Sequence, residues 1–401
     1  MKRYLIVGDG VAGARAAIKI READPKGEIH IFTEEVYPFY YRVRFPELVA
    51  KEVTIQDIII HSKEYYQSRG ISLHLEESIT EGHPEKKEIS SQMGKTYTYD
   101  LLLMATGGTA FVPPIKGVEK KGVFTVRIMK DAIDMKEFAD GVKQAILIGG
   151  GLVGLETGGG LLRRGIKVAV IEHNPRILPR QMDIEGAQIL QSKMEAMGFS
   201  FSLNSQTEEM IGREKVEGVR LKDGRIIEGQ MVIVSAGVRP NLQLAKSMGL
   251  ETKNGILVND RLETKIEGIF AAGDVAEHRG RCYGIWPAAQ RQGETAGVNM
   301  AGGNALYEGT IVSNTLKVVG IDLTSSGEID AEGKLECVVK SDREKQIYRK
   351  VAFREDKIIG CILLGNVRGS LEILNAIEKQ VNVKDLKNSI LEEGFDFKRL
   401  K

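Results

Sequence analysis

The sequence predicts an α/β protein: two parallel-sheet domains, then a smaller α+β domain. Three observations carry that prediction. An apolar strand, a G-x-G-x-x-G turn and a helix rich in small residues occur in succession at residues 4–17, and the same succession returns at 146–162. Each copy leads on to a further strand that closes on an acid. From residue 309 the composition changes to alternating strand segments and one helix.

In the first copy, Tyr4-Leu5-Ile6-Val7 has the length and continuous apolarity of a buried strand, and Ala14, Ala16 and Ala17 open the helix. Between them Gly8 permits a tight turn, Gly10 lets a pyrophosphate reach bare backbone at the helix N-terminus, and Gly13 lets helix and strand pack closely. Val11 and Ala12 complete the turn. This is a Rossmann-like dinucleotide fingerprint. The next strand, 28–32, ends at Thr33-Glu34-Glu35, where a carboxylate can accept hydrogen bonds from adenosine ribose hydroxyls. Residues 36–50, VYPFYYRVRFPELVA, then place aromatics, two prolines, Arg42 and Arg44 on a loop leading into a short helix. Those arginines either sit beside whatever the fingerprint holds or are solvated on the surface. Segments 71–75, 87–91 and 95–100 read as a small antiparallel meander. Leu101-Leu102-Leu103-Met104 returns to the sheet, and Thr106, Gly107 and Gly108, followed by Pro113-Pro114, form a sharp exit. Arg127 is next, as a phosphate ligand or a surface arginine.

The second fingerprint has Gly149, Gly151 and Gly154 as its glycines, with Leu152 and Val153 between them, and its helix continues through Glu156. Its following strand ends at Glu172. An acid there accepts hydrogen bonds from a ribose 2′-hydroxyl and repels a 2′-phosphate, which favours NADH over NADPH; Arg176, further along the loop, works against that preference. One such fingerprint is a weak signal, but two in the same strand-helix-strand-acid context are a strong one. The strand at 231–234 ends in Ala236-Gly237 and closes at Pro240-Asn241, mirroring the earlier exit. Residues 268–275 form a short strand ending in Gly273-Asp274, whose carboxylate either meets a polyol hydroxyl or caps a following helix. Trp286-Pro287-Ala288-Ala289 opens a helix with Pro in its first turn, and its free N–H groups suit an electron-rich ring edge. The chain's single Trp packs either on that ring or in the core. Beyond residue 309, Arg354-Glu355-Asp356-Lys357 reads as a hairpin turn, and Arg343, Lys345, Arg349 and Lys350 as a solvated face.

With 401 residues, 56 basic against 55 acidic and a net charge of +1, the chain has no electrostatic footprint for nucleic acid or an anionic membrane. No run of about 18 apolar residues exists to span a bilayer. Cys282, Cys337 and Cys361 are too scattered for a disulfide framework or metal site, and the histidines lack ligand spacing, so no metal is expected. The chain reads as soluble and cytoplasmic.

With both fingerprints, the Ala105-Thr106-Gly107-Gly108 exit, the Arg239-Pro240-Asn241 closure and the Ala271-Ala272-Gly273-Asp274-Val275 strand in view, the chain resembles the FAD-dependent pyridine nucleotide-disulfide oxidoreductases. Within them it is most similar to NADH:rubredoxin and ferredoxin reductases and the flavin portion of assimilatory nitrite reductases. The resemblance implies an FAD domain (1–112 and 242–308) split around an inserted NAD domain (113–241), with a small C-terminal α+β interface domain (309–401). It implies FAD contacts from Gly8, Gly10, Gly13, Glu35 (Glu34 the less favoured substitute), Thr106, Gly107, Arg127 and Asp274, with Ile79 meeting the adenine. Trp286, Pro287 and Ala289 would border the flavin, and Arg42, in Tyr40-Tyr41-Arg42, would lie over it. Gly149, Gly151, Gly154, Glu172 and Gly237 would hold NAD(H), with Glu156 nearer the flavin. The redox cysteines of the disulfide-reducing members have no counterpart in 40–49, so thiolate chemistry is not expected there. Glu47 stands where ferredoxin reductases often show lysine.

The implied activity is hydride transfer from NADH to FAD and then electrons to rubredoxin or ferredoxin. The alternatives are an oxidase using oxygen and an FAD-binding subunit of a larger complex. Glu156 and Arg42 are the expected catalytic residues, as an ion pair or separately, and the C-terminal domain is expected either to cap the active face or to make the contact of a homodimer or larger complex.

Overall fold

The computed structural model describes the backbone of residues 1–401 and the side chains of all but residues 314–318. The first sheet is parallel, with strands in the order Ile269–Ala271, Leu101–Met104, Arg3–Val7, Glu28–Phe32, Ile71–His74. Its central strand is buried on both faces, which is why Tyr4-Leu5-Ile6-Val7 is an unbroken apolar run. The helices Val11–Ala23 and Trp286–Met300 pack together on one face. Hence residues before 112 and after 242 share one sheet.

The meander differs from expectation. Ile71–His74 is the fifth parallel strand of the first sheet, while the antiparallel unit consists of Ile79–His83, Glu88–Ser91 and Thr96–Thr98. Alternation alone cannot distinguish an edge strand of a parallel sheet from a hairpin strand; its parallel pairing with Glu28–Phe32 decides it.

The second parallel sheet has the order Phe199–Ser202, Lys167–Ile171, Gln144–Ile148, Met231–Val234, Val123–Phe124. The chain passes between the sheets twice, at Gly108–Ala110 and Val238–Pro240, and those two passages pair antiparallel. The last unit is a five-stranded antiparallel sheet covered by the helix Ser370–Lys379. Its expected hairpin turn is present, with Glu355 and Asp356 both at positive φ between Ile347–Arg354 and Lys357–Leu364.

Arg349 and Lys350 are not on a solvated face. Both are buried, and Lys350 Nζ lies 3.1 Å from Asp183 and 3.7 Å from Asp330, while the Tyr348 hydroxyl donates to Asp183 at 2.5 Å. Asp183 also caps the helix Ile184–Met197 beside the second sheet, so this buried pairing joins the C-terminal sheet to the second domain. A second junction lies along the helix Leu152–Leu162. A side chain at Gly160 would stand 2.4 Å from the carbonyl oxygen of Pro46, so glycine lets this helix touch the backbone of the Phe45–Val49 helix. One core runs through the junction, from Phe45 and Leu48 to Leu155, Tyr348 and Ile362.

Candidate active site

Both fingerprints build the same cradle. Gly8 sits at φ +115° and Gly149 at φ +108°; a Cβ would fall 2.1 Å from the Ala105 oxygen in one case and 2.4 Å from the Ser235 oxygen in the other. Gly13 abuts the Gly8 oxygen in the same way, and Gly154 packs against Gly149 and Ser235. Gly10 and Gly151 are the reverse: a Cβ on either would meet nothing within 4 Å. Each is the N-cap of its helix without a side-chain capping bond, so free N–H groups open onto empty space. A pyrophosphate fits that arrangement. Of the residues between the glycines, Ala12 is buried and Val153 exposed, with Val11 and Leu152 between those extremes.

The other expected ligands of the first cradle converge from distant segments. A Cβ on Gly273 would lie 3.1 Å from that of Ala12 and 3.9 Å from that of Ala289, so the strand end at 269–273 and the N-terminus of the Trp286–Met300 helix meet beside the fingerprint. Pro287 holds the first turn of that helix, and Trp286 stacks against Phe39 at 5.7 Å and edge-on to Tyr41 at 4.8 Å. Arg127 is not a free surface arginine: it donates to Asp274 at 2.7 Å and to the Gly108 oxygen at 2.8 Å. No helix follows Asp274, since Ala276–His278 is a strand; its carboxylate belongs to Arg127 rather than to a helix cap. Thr106 donates its hydroxyl to the Asn241 oxygen, and Gly107 and Gly237 both adopt positive φ at the two passages. Ile79 is buried at the start of its strand.

The acids have partners that their positions in the sequence did not reveal. Glu35 receives the Tyr40 hydroxyl at 2.5 Å, the Met129 N–H at 3.3 Å and Arg42 at 3.5 Å, while Glu34 is exposed. Arg42 is therefore paired with Glu35 and not with Glu156. Burial works against its charge, and Tyr40 and Glu35 outweigh it and hold the guanidinium pKa up. Glu172 is buried and receives N–H groups from Gly150 at 2.6 Å and Asn174 at 2.7 Å, with the Asn174 side chain adding a second bond at 2.7 Å. Arg176 turns away from it and donates to the Met182 and Pro179 oxygens. Glu156 is half-buried near the Val319 N–H, and burial raises its carboxyl to about 7. Glu47 is not a free carboxylate, because Arg44 grips it at 2.9 and 2.5 Å.

Three residues of the site went unread. Asp9 stands inside the first fingerprint at a position without an assigned task, and its being a carboxylate was the available signal. Tyr40 opens the Tyr40-Tyr41-Arg42 segment, but its bond to Glu35 depends on the fold, and Asn174, two residues beyond Glu172, gave no signal a single sequence can carry. Burial raises Cys282 and Cys337 to about 11, so neither is a thiolate at neutral pH. Among the described residues no cluster could hold a metal ion, and no helix is long and apolar enough to cross a membrane.

Residues 2–293 match the pyridine nucleotide-disulphide oxidoreductases, and residues 313–381 match the rubredoxin NAD+ reductase C-terminal domain. The chain belongs to the pyridine nucleotide-disulphide oxidoreductase family. It is 35% identical to a Bacillus subtilis nitrite reductase [NAD(P)H] over 98% of this chain and 49% of that one. It is 33% identical to the NADH-rubredoxin oxidoreductase of Clostridium acetobutylicum over 94% of each. The crystal structure of NADH:rubredoxin oxidoreductase from the same organism superposes with a TM-score of 0.82 at 30% identity, covering 97% of this chain and 98% of that one. An NADH oxidase of Methanocaldococcus jannaschii is 32% identical over 96% of this chain and 93% of its own. The chain spans about half the length of the first two curated relatives it matches. The family is one of NAD(P)H-dependent oxidoreductases and implies FAD as the bound flavin.

Proposed function

We propose that the chain takes a hydride from NADH onto FAD and passes electrons to a small electron-transfer protein of the rubredoxin or ferredoxin type. Residues 1–112 and 242–308 form the FAD domain, 113–241 the NADH domain and 309–401 the interface domain. The observation that carries this reading is the pair of cradles with open backbone at Gly10 and Gly151, joined by passages that lead from one sheet to the other.

Bound FAD supplies the chemistry of accepting a hydride and releasing electrons singly. The chain's own residues bind and orient. Free N–H groups after Gly10 and Gly151 would hold pyrophosphates, and Arg127, paired with Asp274, sets its guanidinium beside Gly107. Glu172, fixed by Gly150 and Asn174, discriminates against a 2′-phosphate, and Arg176 is held off by its own carbonyl partners. Glu35 and Tyr40 steady Arg42. Glu156 lies on the NADH-domain helix beside the Val319 N–H, where its half-buried carboxyl can hold a proton near neutral pH. Hydride transfer needs no side-chain acid or base, so Glu156 acts by placing the nicotinamide. No cysteine lies in 36–50, which supports electron delivery to an outside acceptor over thiol exchange.

Reduction of oxygen is the second reading, favoured by the likeness to an NADH oxidase. Turnover with NADH is compared using rubredoxin, ferredoxin or oxygen as sole acceptor. A carrier protein reduced many times faster than oxygen supports the proposal; oxygen consumption outrunning both carriers replaces it with the oxidase. Glu156→Ala is expected to slow flavin reduction about tenfold or more without emptying the FAD site. An unchanged reduction rate would remove Glu156 from the site.

A further inference from the structure

The loop that follows Glu172, residues 173–183, returns onto the second fingerprint. Gly150 is held there from both sides: its N–H donates to Glu172 at 2.6 Å, and its carbonyl oxygen accepts the Leu178 N–H at 2.9 Å. Leu178 makes that bond from φ +47°, a left-handed conformation that strains a side chain of this size, and it is fully buried. The next turn closes on it. The N–H groups of Gln181 and Met182 both donate to the Leu178 oxygen at 2.9 Å, and Arg176 spans the loop to the Pro179 and Met182 oxygens. Backbone strain of this kind persists only where the surroundings hold it.

The hold comes from the C-terminal domain. The hydroxyl of Ser325, on the strand Ile321–Gly327, donates to the Gln181 oxygen at 2.7 Å. From the strand Ile347–Arg354, the Tyr348 hydroxyl donates to Asp183 at 2.5 Å, and Lys350 Nζ donates to the same carboxylate oxygen at 3.1 Å. Ser325, Tyr348, Lys350 and Asp183 are all buried. A Cβ on Gly186 would lie 2.9 Å from the Met182 methyl and 2.9 Å from the Tyr348 ring, so that ring is seated against the end of the loop. One domain thus grips residues 181–183 of a loop whose middle holds the fingerprint of another.

We propose, on the reading of the second cradle as the NADH site, that residues 173–183 form a strained clasp on that cradle which the C-terminal domain keeps closed, and that Ser325 and Tyr348 are positioning residues for the nicotinamide cofactor. With the clasp closed, Gly150 is fixed on both sides, which sets where its N–H meets Glu172 and so where that carboxylate meets the adenosine ribose. With the clasp open, Leu178 relaxes to negative φ, the Gly150 oxygen is released, and Glu172 loses its fixed donor. The C-terminal domain then acts on cofactor affinity, and on the choice between NADH and NADPH, without touching either.

The double variant Ser325→Ala/Tyr348→Phe removes two of these bonds and keeps the ring and the Lys350–Asp183 pair. The FAD-loaded full chain is titrated with NAD+ by calorimetry, and its flavin reduction is followed by anaerobic stopped flow over a range of NADH and NADPH concentrations. The double variant is expected to bind NAD+ about fivefold more weakly than the wild type and to need about fivefold more NADH for half-maximal reduction, with its limiting rate kept within about twofold and its FAD content unchanged. Its efficiency with NADPH relative to NADH is expected to rise about threefold. A loss of stability alone lowers FAD content or the limiting rate and moves neither the affinity nor that ratio. A double variant with wild-type NAD+ affinity and an unchanged ratio would overturn the proposal, as would one that loses FAD or limiting rate while its affinity holds. Should the double variant not fold, Ser325→Ala decides alone: an affinity lowered about twofold is expected, and an unchanged one overturns the proposal. Failure of the wild type to bind NAD+ or to be reduced by NADH would instead overturn the reading of the second cradle.

Discussion

The two fingerprints place their glycines alike and spend their acids differently. In the second, Gly150 offers its N–H to Glu172, and Asn174 closes the other side of that carboxylate, so acid and turn form one closed unit. In the first, the corresponding residue is Asp9, which brings its own carboxyl and reaches outward to Phe39 and Tyr66. The acid after the second strand, Glu35, likewise looks outward, to Tyr40, Arg42 and the N-terminus of the helix Met129–Phe138. The acid of one cradle is thus self-contained, and that of the other is tied to the loop above it and to the next domain. On the proposed assignment, the cradle with the self-contained acid takes the nicotinamide cofactor and the tied one the flavin.

The largest effects are expected from altering the glycines that the two cradles share. Gly8→Ala and Gly149→Ala each force a Cβ onto a carbonyl oxygen at positive φ, and each is expected to destabilise its domain by about 3 kcal/mol. Flavin content and reduction by NADH separate them: Gly8→Ala loses FAD, while Gly149→Ala keeps FAD and loses reduction. If both variants lose FAD, the two cradles are not separate sites. A similar stability loss, about 3 kcal/mol, is expected for Lys350→Ala, which leaves Asp183 and Asp330 buried without their cation. Chemical denaturation measures it, and flavin content is expected to stay near that of the wild type because the pairing belongs to the second domain.

Smaller effects sharpen the contrast. Glu172→Gln removes the charge that repels a 2′-phosphate, and kcat/KM for NADPH is expected to rise about tenfold relative to NADH. An unchanged ratio would mean that specificity lies elsewhere on the loop. The smallest effect is expected from Arg44→Ala. The Arg44–Glu47 pair is open to solvent on one side, so the melting temperature is expected to stay close to that of the wild type, measured by differential scanning calorimetry.

What the sequence made legible follows from how local each cause is. The glycine turns were readable because positive φ and the absence of a Cβ are requirements of a few consecutive residues. The apolar strands and the Pro-started helix at Trp286 were readable for the same reason. The pairing of Ile71–His74 was not, because it depends on Glu28–Phe32, forty residues away. Lys350 looked solvated because only the folded chain brings Asp183 and Asp330 to it. The expected Arg42–Glu156 pair failed for a related reason: Glu35, seven residues before Arg42, is the nearer acid.

The most direct measurement is anaerobic stopped-flow mixing of the FAD-loaded chain with NADH and, separately, with NADPH, following the flavin absorbance. NADH is expected to bleach the flavin rapidly, NADPH more slowly, and a carrier protein to restore the colour. A flavin that stays oxidised in excess NADH would contradict the claim that the two cradles form one electron path.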